Sequence, residues 1–121
     1  MMKNKSASVR ILVADDHEIV REGLRTLLTS RRGWQVCGEA RDGREAVQLA
    51  MQLQPHVAVL DLSMPVLNGL EAARQIRRTQ PRTEVLVLTM HESEDLAAAV
   101  MAGASNWTSW RRPPAEVMRD A

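Results

Sequence analysis

Val57 to Leu60 is a run of four apolar residues that ends on a carboxylate, Asp61. An exposed strand alternates apolar with polar residues. A strand that is apolar at every position must be covered on both faces, as in a parallel sheet sandwiched by helices. Beyond Asp61 the chain is punctuated by Pro65 and the Asn68-Gly69 pair, the signals of a loop before the next helix. Open α/β sheets carry their chemistry at the carboxyl ends of buried strands. Asp61 is therefore the candidate reactive centre.

The rest of the chain supports that frame. Val9 to Ala14 reads as a first strand ending at Asp15-Asp16. Ile19, Val20, Leu24, Leu27 and Leu28 follow helical spacing and predict a helix over Glu18 to Thr29. Trp34 to Ala40 gives a second strand, Asp42-Gly43 a turn, and Ala46 to Leu53 a second helix that stops before Pro55. A third helix runs from Gly69 to Thr79, and Val85 to Leu88 is a fourth buried strand leading into Thr89. Ser93, Glu94 and Asp95 resemble a helix start, with Ala102 at its end and Gly103 as the cap beyond it. Residues 1–8 are expected to be a disordered leader, and 9–121 one domain. Strands alternating with helices give right-handed βαβ crossovers and a parallel sheet. All strands then point one way, so Asp15, Asp16, Asp61 and Thr89 meet at one edge.

Composition narrows the class. The 121 residues carry a formal net charge of +1, which gives no electrostatic case for nucleic-acid or membrane binding by this chain. Cys37 is the only cysteine, which excludes a disulfide framework and fits a reducing, cytoplasmic setting. No apolar run approaches membrane-spanning length. With no Phe or Tyr, and Trp at 34, 107 and 110, the core must be aliphatic.

Three carboxylates crowded at one edge repel unless a cation joins them. Oxygen ligands without a Cys or His cluster favour Mg²⁺. Asp61 then becomes a nucleophile suited to accept a phosphoryl group, and Thr89 offers a hydroxyl to the product. His17 and His91 near this edge, and His56 beside Pro55, read as solvated loop histidines, and the paired arginines 31–32 and 77–78 as solvated faces.

Ala14-Asp15-Asp16-His17, Val57 to Pro65, Asn68-Gly69 and Val87-Leu88-Thr89-Met90-His91 together resemble the receiver domain of bacterial two-component response regulators, in its NarL/LuxR-type branch. The likeness covers about residues 9–105. It implies a flavodoxin-like (βα)5 fold with a five-stranded parallel sheet in order 2-1-3-4-5. It implies Asp61 as phospho-acceptor, Asp16 as a direct Mg²⁺ ligand, Asp15 as holder of metal-bound waters and the backbone carbonyl of Ser63 as a further ligand. Thr89 would be the switch hydroxyl and Trp107 the switch aromatic. The implied partners are a sensor histidine kinase and, through an effector domain outside this chain, DNA; a homodimer is a further possibility. Such a domain catalyses no turnover of an external substrate.

The resemblance breaks near the end. The family places a lysine where Trp110 stands, and no lysine follows Lys5. Arg111 lies one residue late, on the opposite face of a strand, and Arg112 is a dipeptide further along. Losing a charge-assisted contact to the phosphoryl group costs roughly 1.5–3 kcal/mol. The segment 106–112 departs from the family apart from Trp107 in the aromatic position, and Ala115 to Ala121 supplies at most about two turns of a last helix, which is therefore expected to be truncated.

Three rivals stand beside this reading. A pseudo-receiver that works by protein contact alone is favoured by the missing lysine and opposed by the complete acid set. A flavodoxin-like cofactor binder shares the topology, but Asp15-Asp16-His17-Glu18 is acidic where a phosphate cradle wants Gly, Ser or Thr. A Mg²⁺-dependent phosphatase would want a second acid where Ser63 stands.

Overall fold

The computed structural model describes residues 9–88. In chain order these form β1 (Val9–Ala14), α1 (Glu18–Thr29), β2 (Trp34–Ala40), α2 (Gly43–Leu53), β3 (Val57–Asp61), α3 (Gly69–Thr79) and β4 (Glu84–Leu88). The four strands lie in the order β2-β1-β3-β4, every neighbouring pair parallel. The fold is the parallel α/β, flavodoxin-like arrangement expected. The expected fifth strand, the last two helices, Thr89, Trp107, Arg111 and Arg112 lie outside the described residues, as does the 1–8 leader.

The side-chain period of the strands divides the core in two. Leu12 and Ala14 of β1, Ala58 and Leu60 of β3, and Val85 and Val87 of β4 face α2 and α3. Ile11 and Val13, with Val59 and Leu88, face α1 through Val20, Leu24, Leu27 and Leu28. Both faces are covered, which is why β3 is apolar at every position before Asp61. The α2–α3 face is lined by Ala46, Ala50, Ala72 and Ala73, all fully buried. Small residues let those helices sit close to the sheet, so an aliphatic core closes there without aromatic rings.

Capping chemistry fixes the starts of α2 and α3. Asp42 accepts a hydrogen bond from the Glu45 N–H at 2.8 Å, and Glu45 in turn accepts the Arg41 N–H at 2.9 Å. The expected Asp42-Gly43 turn is thus the N-cap and first residue of α2. Asn68 caps α3 in the same way, accepting the Glu71 N–H at 2.9 Å. At the far end of α2, Gln54 adopts the left-handed conformation, and Arg10 donates to the carbonyls of Leu53 and Gln54. One strand departs from regularity: Ile11 pairs with Val36 but Leu12 with Gly38, leaving Cys37 as the extra residue of a bulge. Cys37 is half-buried there, and burial pushes its thiol pKa up.

Two glycines hold the loop that follows β3. A Cβ on Gly69 would lie 2.8 Å from the Leu62 Cα and 2.9 Å from the Asp61 carbonyl carbon. A Cβ on Gly43 would lie 2.7 Å from that of Leu67. The start of α3 therefore packs directly on the backbone of Asp61, and the start of α2 on Leu67. Between these contacts Val66 takes a positive φ of 71°, which a β-branched side chain rarely adopts.

Candidate functional site: an acidic cluster at the strand tips

Parallel register brings the acids together. Ala14, the last residue of β1, pairs with Leu60, so Asp15 and Asp61 follow at matching heights on adjacent strands. One ligand atom from each of Asp15, Asp16, His17 and Asp61 lies within 4.8 Å of the other three. Asp15 and Asp61 are 1% exposed, whereas Asp16 and His17 face solvent. The cluster has a buried floor and an open rim.

Asp15 is tied down most tightly. Its Oδ1 accepts the His17 N–H at 2.8 Å and lies 3.1 Å from the His17 Nδ1. Asp16 Oδ1 is also 3.1 Å from that ring nitrogen. Neither acid caps α1, whose N-cap is His17 with no side-chain cap bond.

Asp61 is held loosely by comparison. Its Oδ1 receives only a long contact from the Ser63 N–H, at 3.4 Å. Its Oδ2 is buried and, among the described residues, is the one buried side-chain oxygen or nitrogen without a hydrogen-bond partner. Burial first, then the charge of Asp15, pushes the Asp61 pKa up from 3.8 to about 6. Burial likewise raises Asp15. His17 is raised chiefly by its hydrogen bond to Asp15, with the Asp16 and Asp61 charges adding to the effect.

An unpartnered buried oxygen on an acid that neighbours other carboxylates is costly unless a cation or a proton answers it. The donors are carboxylate oxygens, the hard set that suits Mg²⁺, Ca²⁺ or Mn²⁺. The residues therefore fit a small divalent ion. Ser63 is exposed in the loop just beyond Asp61, two residues along the chain.

The sequence reading missed His17, which it treated as a solvated loop residue. The ring is partly exposed, but it bridges the two carboxylates beside it. The signal was available in the spacing: a residue two positions after an Asp can donate its N–H back to that carboxylate, which swings its side chain over the acids.

A family model for the response regulator receiver domain matches residues 11–109. The chain belongs to the response-regulator receiver domain family. The response regulator UvrY of Escherichia coli K12 is 40% identical to it over 111 residues, 91% of this chain and 51% of UvrY. The response regulator GacA of Pseudomonas aeruginosa is 39% identical over 100 residues, 82% of this chain and 47% of GacA. This receiver domain thus spans about half the length of the curated relatives it matches. Among solved structures, a LuxR-family two-component response regulator from Aurantimonas sp. SI85-9A1 is 42% identical with a TM-score of 0.66, covering 81% of this chain and 71% of that one. The signal receiver domain of the NarL regulator from Mycobacterium tuberculosis is 29% identical with a TM-score of 0.67, covering 82% of this chain and 98% of that one. These likenesses agree with a NarL/LuxR-type receiver. Among the described residues no helix is long and apolar enough to cross a membrane.

Proposed function

We propose that this receiver domain takes a phosphoryl group onto Asp61 from the phosphohistidine of a sensor histidine kinase and relays the change to an output domain outside this chain. The observation that supports this reading most is the buried, unpartnered Oδ2 of Asp61 among three other potential ligands. A module that worked by protein contact alone would bear the cost of that oxygen with no return.

In this reading Asp15, Asp16, Asp61 and the backbone carbonyl of Ser63 hold Mg²⁺. The bound ion would neutralise carboxylate charge and orient a phosphoryl oxygen. Asp61 supplies the attacking oxygen: a P–O bond forms to one of its carboxylate oxygens as the P–N bond to the donor imidazole breaks. The electron pair of the broken bond stays on the ring nitrogen, and an aspartyl phosphate results. Little covalent work is asked of the protein beyond positioning and charge. The packing of Gly69 on the Asp61 backbone fixes the nucleophile, since a side chain at that position would displace it.

Thr89 is assigned as the switch hydroxyl and Trp107 as the switch aromatic. Arg111 and Arg112 are the remaining candidates for the role of the missing lysine. The output is transcriptional, through a DNA-binding domain, and the setting cytoplasmic. The domain turns over no external substrate; its own chemistry is self-phosphorylation and slow loss of the phosphate.

Intact-mass measurement after incubation with a small phosphodonor tests the proposal. The wild-type chain gains one phosphoryl group with Mg²⁺ and none with EDTA, and Asp61→Asn gains none. Equal uptake with and without Mg²⁺ would refute it.

A further inference from the structure

Arg21 lies one turn into α1, and its side chain is only 11% exposed. It makes no contact with a carboxylate of the cluster. Its Nη1 instead donates to the main-chain carbonyl of Asp15 at 2.7 Å, and its Nε donates to Glu39 Oε1 of β2 at 3.2 Å. The Asp15 carbonyl belongs to the peptide that joins Asp15 to Asp16. A guanidinium bonded to it fixes the plane of that peptide, and with it the direction in which each acid leaves the chain. The other end of Asp15 is held by the same strand: its N–H donates to the Ala40 carbonyl at 3.0 Å. Both restraints on the Asp15 backbone therefore lead to the last two residues of β2.

We propose that Arg21, braced by Glu39, is a positioning residue for the acidic cluster, setting its affinity for a divalent cation through the Asp15–Asp16 peptide. The proposal rests on the reading of the cluster as a cation site. A charged donor in a half-dry setting makes a stronger bond than a neutral one, and the Glu39 carboxylate restricts the guanidinium to one orientation. Glu39 accepts a second contact from Arg25 Nη1 at 3.0 Å, but Arg25 is 48% exposed, so that outer pair contributes little.

The test is calorimetric titration of the intact chain with Mg²⁺, well below its unfolding temperature, alongside metal-free amide hydrogen exchange. Arg21→Gln and Glu39→Gln raise the Mg²⁺ dissociation constant about tenfold. Arg21→Lys recovers part of the loss because it restores a donor but not the fork. Arg25→Met stays within about twofold of wild type. Without metal, the His17 amide, donated to Asp15 Oδ1, exchanges about tenfold faster in the first two variants as the Asp15 backbone loosens. A merely structural role would lower the unfolding temperature and leave both readouts unchanged, and that result overturns the proposal. If Arg21→Gln does not fold, Glu39→Gln carries both arms. Absence of Mg²⁺ binding by the wild type would overturn the cation-site reading instead, while the exchange arm still decides whether Arg21 positions the peptide.

Discussion

Replacing Asp61 with Asn removes a charge from a buried position answered only by a long Ser63 N–H contact and the nearby His17. The folded-state pKa of about 6 against an ordinary 3.8 sets the sign and size of the effect. Because the folded pKa is raised, the folded chain keeps a proton that the unfolded chain releases between these values. The favourable contribution is complete below about pH 4 and is lost as pH rises through about 6. At about 1.36 kcal/mol per pKa unit, ionised Asp61 costs the metal-free fold up to about 3 kcal/mol at pH 8. Asn escapes that cost but leaves its own amide poorly bonded, at about 1 kcal/mol. The expected net gain for Asp61→Asn at pH 8 in EDTA is about 2 kcal/mol, or ~8 °C in Tm for a chain of this size. At pH 4 the two proteins should differ by less than about 1 kcal/mol. Mg²⁺ at ~100 times its Kd adds about 2.7 kcal/mol to the wild type and little to the variant, closing the gap at pH 8. Thermal unfolding followed by circular dichroism measures all of these. A variant no more stable than wild type at pH 8, or an advantage equal at both pH values, would refute the reasoning.

Gly69→Ala should cost about 2–4 kcal/mol and abolish phosphoryl uptake, since the new methyl meets backbone of Asp61 and Leu62 that cannot move without shifting the acceptor. Urea denaturation gives the first effect and intact mass the second. Val66→Asn should stabilise the fold by about 1 kcal/mol, because Asn tolerates the positive φ of 71° and the Val side chain is 69% exposed with little burial to lose. A raised urea midpoint at unchanged slope would record it. Asp42→Ala removes the α2 cap and should cost about 1 kcal/mol, read from the same curves.

The fold was legible because strand burial leaves a mark at every residue. The continuous apolar run at Val57 to Leu60 required helices on both faces, and parallel connections then sent Asp15 and Asp61 to one edge. Helix limits at Glu18, Thr29, Gly69 and Thr79 came from periodicity and loop signals, and the structure gives the same limits. What could not be read depends on contacts between segments far apart in the chain. The bulge at Cys37 arises from pairing with Ile11 and Leu12, and β4 starts one residue early because the Glu84 N–H donates to the His56 carbonyl. Asp42-Gly43 carries a turn signature and a cap signature at once; the close approach of Leu67 to Gly43 and the bond from Glu45 decide for the cap. The bracing of Arg21 by Glu39 is likewise tertiary, since nothing in the local pattern distinguishes either from a surface residue.

The proposed function requires phosphate to attach at Asp61. An aspartyl phosphate is an acyl phosphate, so borohydride reduces it to an alcohol and converts the residue to homoserine. After treatment with a phosphodonor and Mg²⁺, reduction and peptide mapping should find homoserine at position 61 and no other converted acid. Conversion at Asp15 or Asp16, or phosphoryl mass retained with residue 61 unchanged, would contradict it.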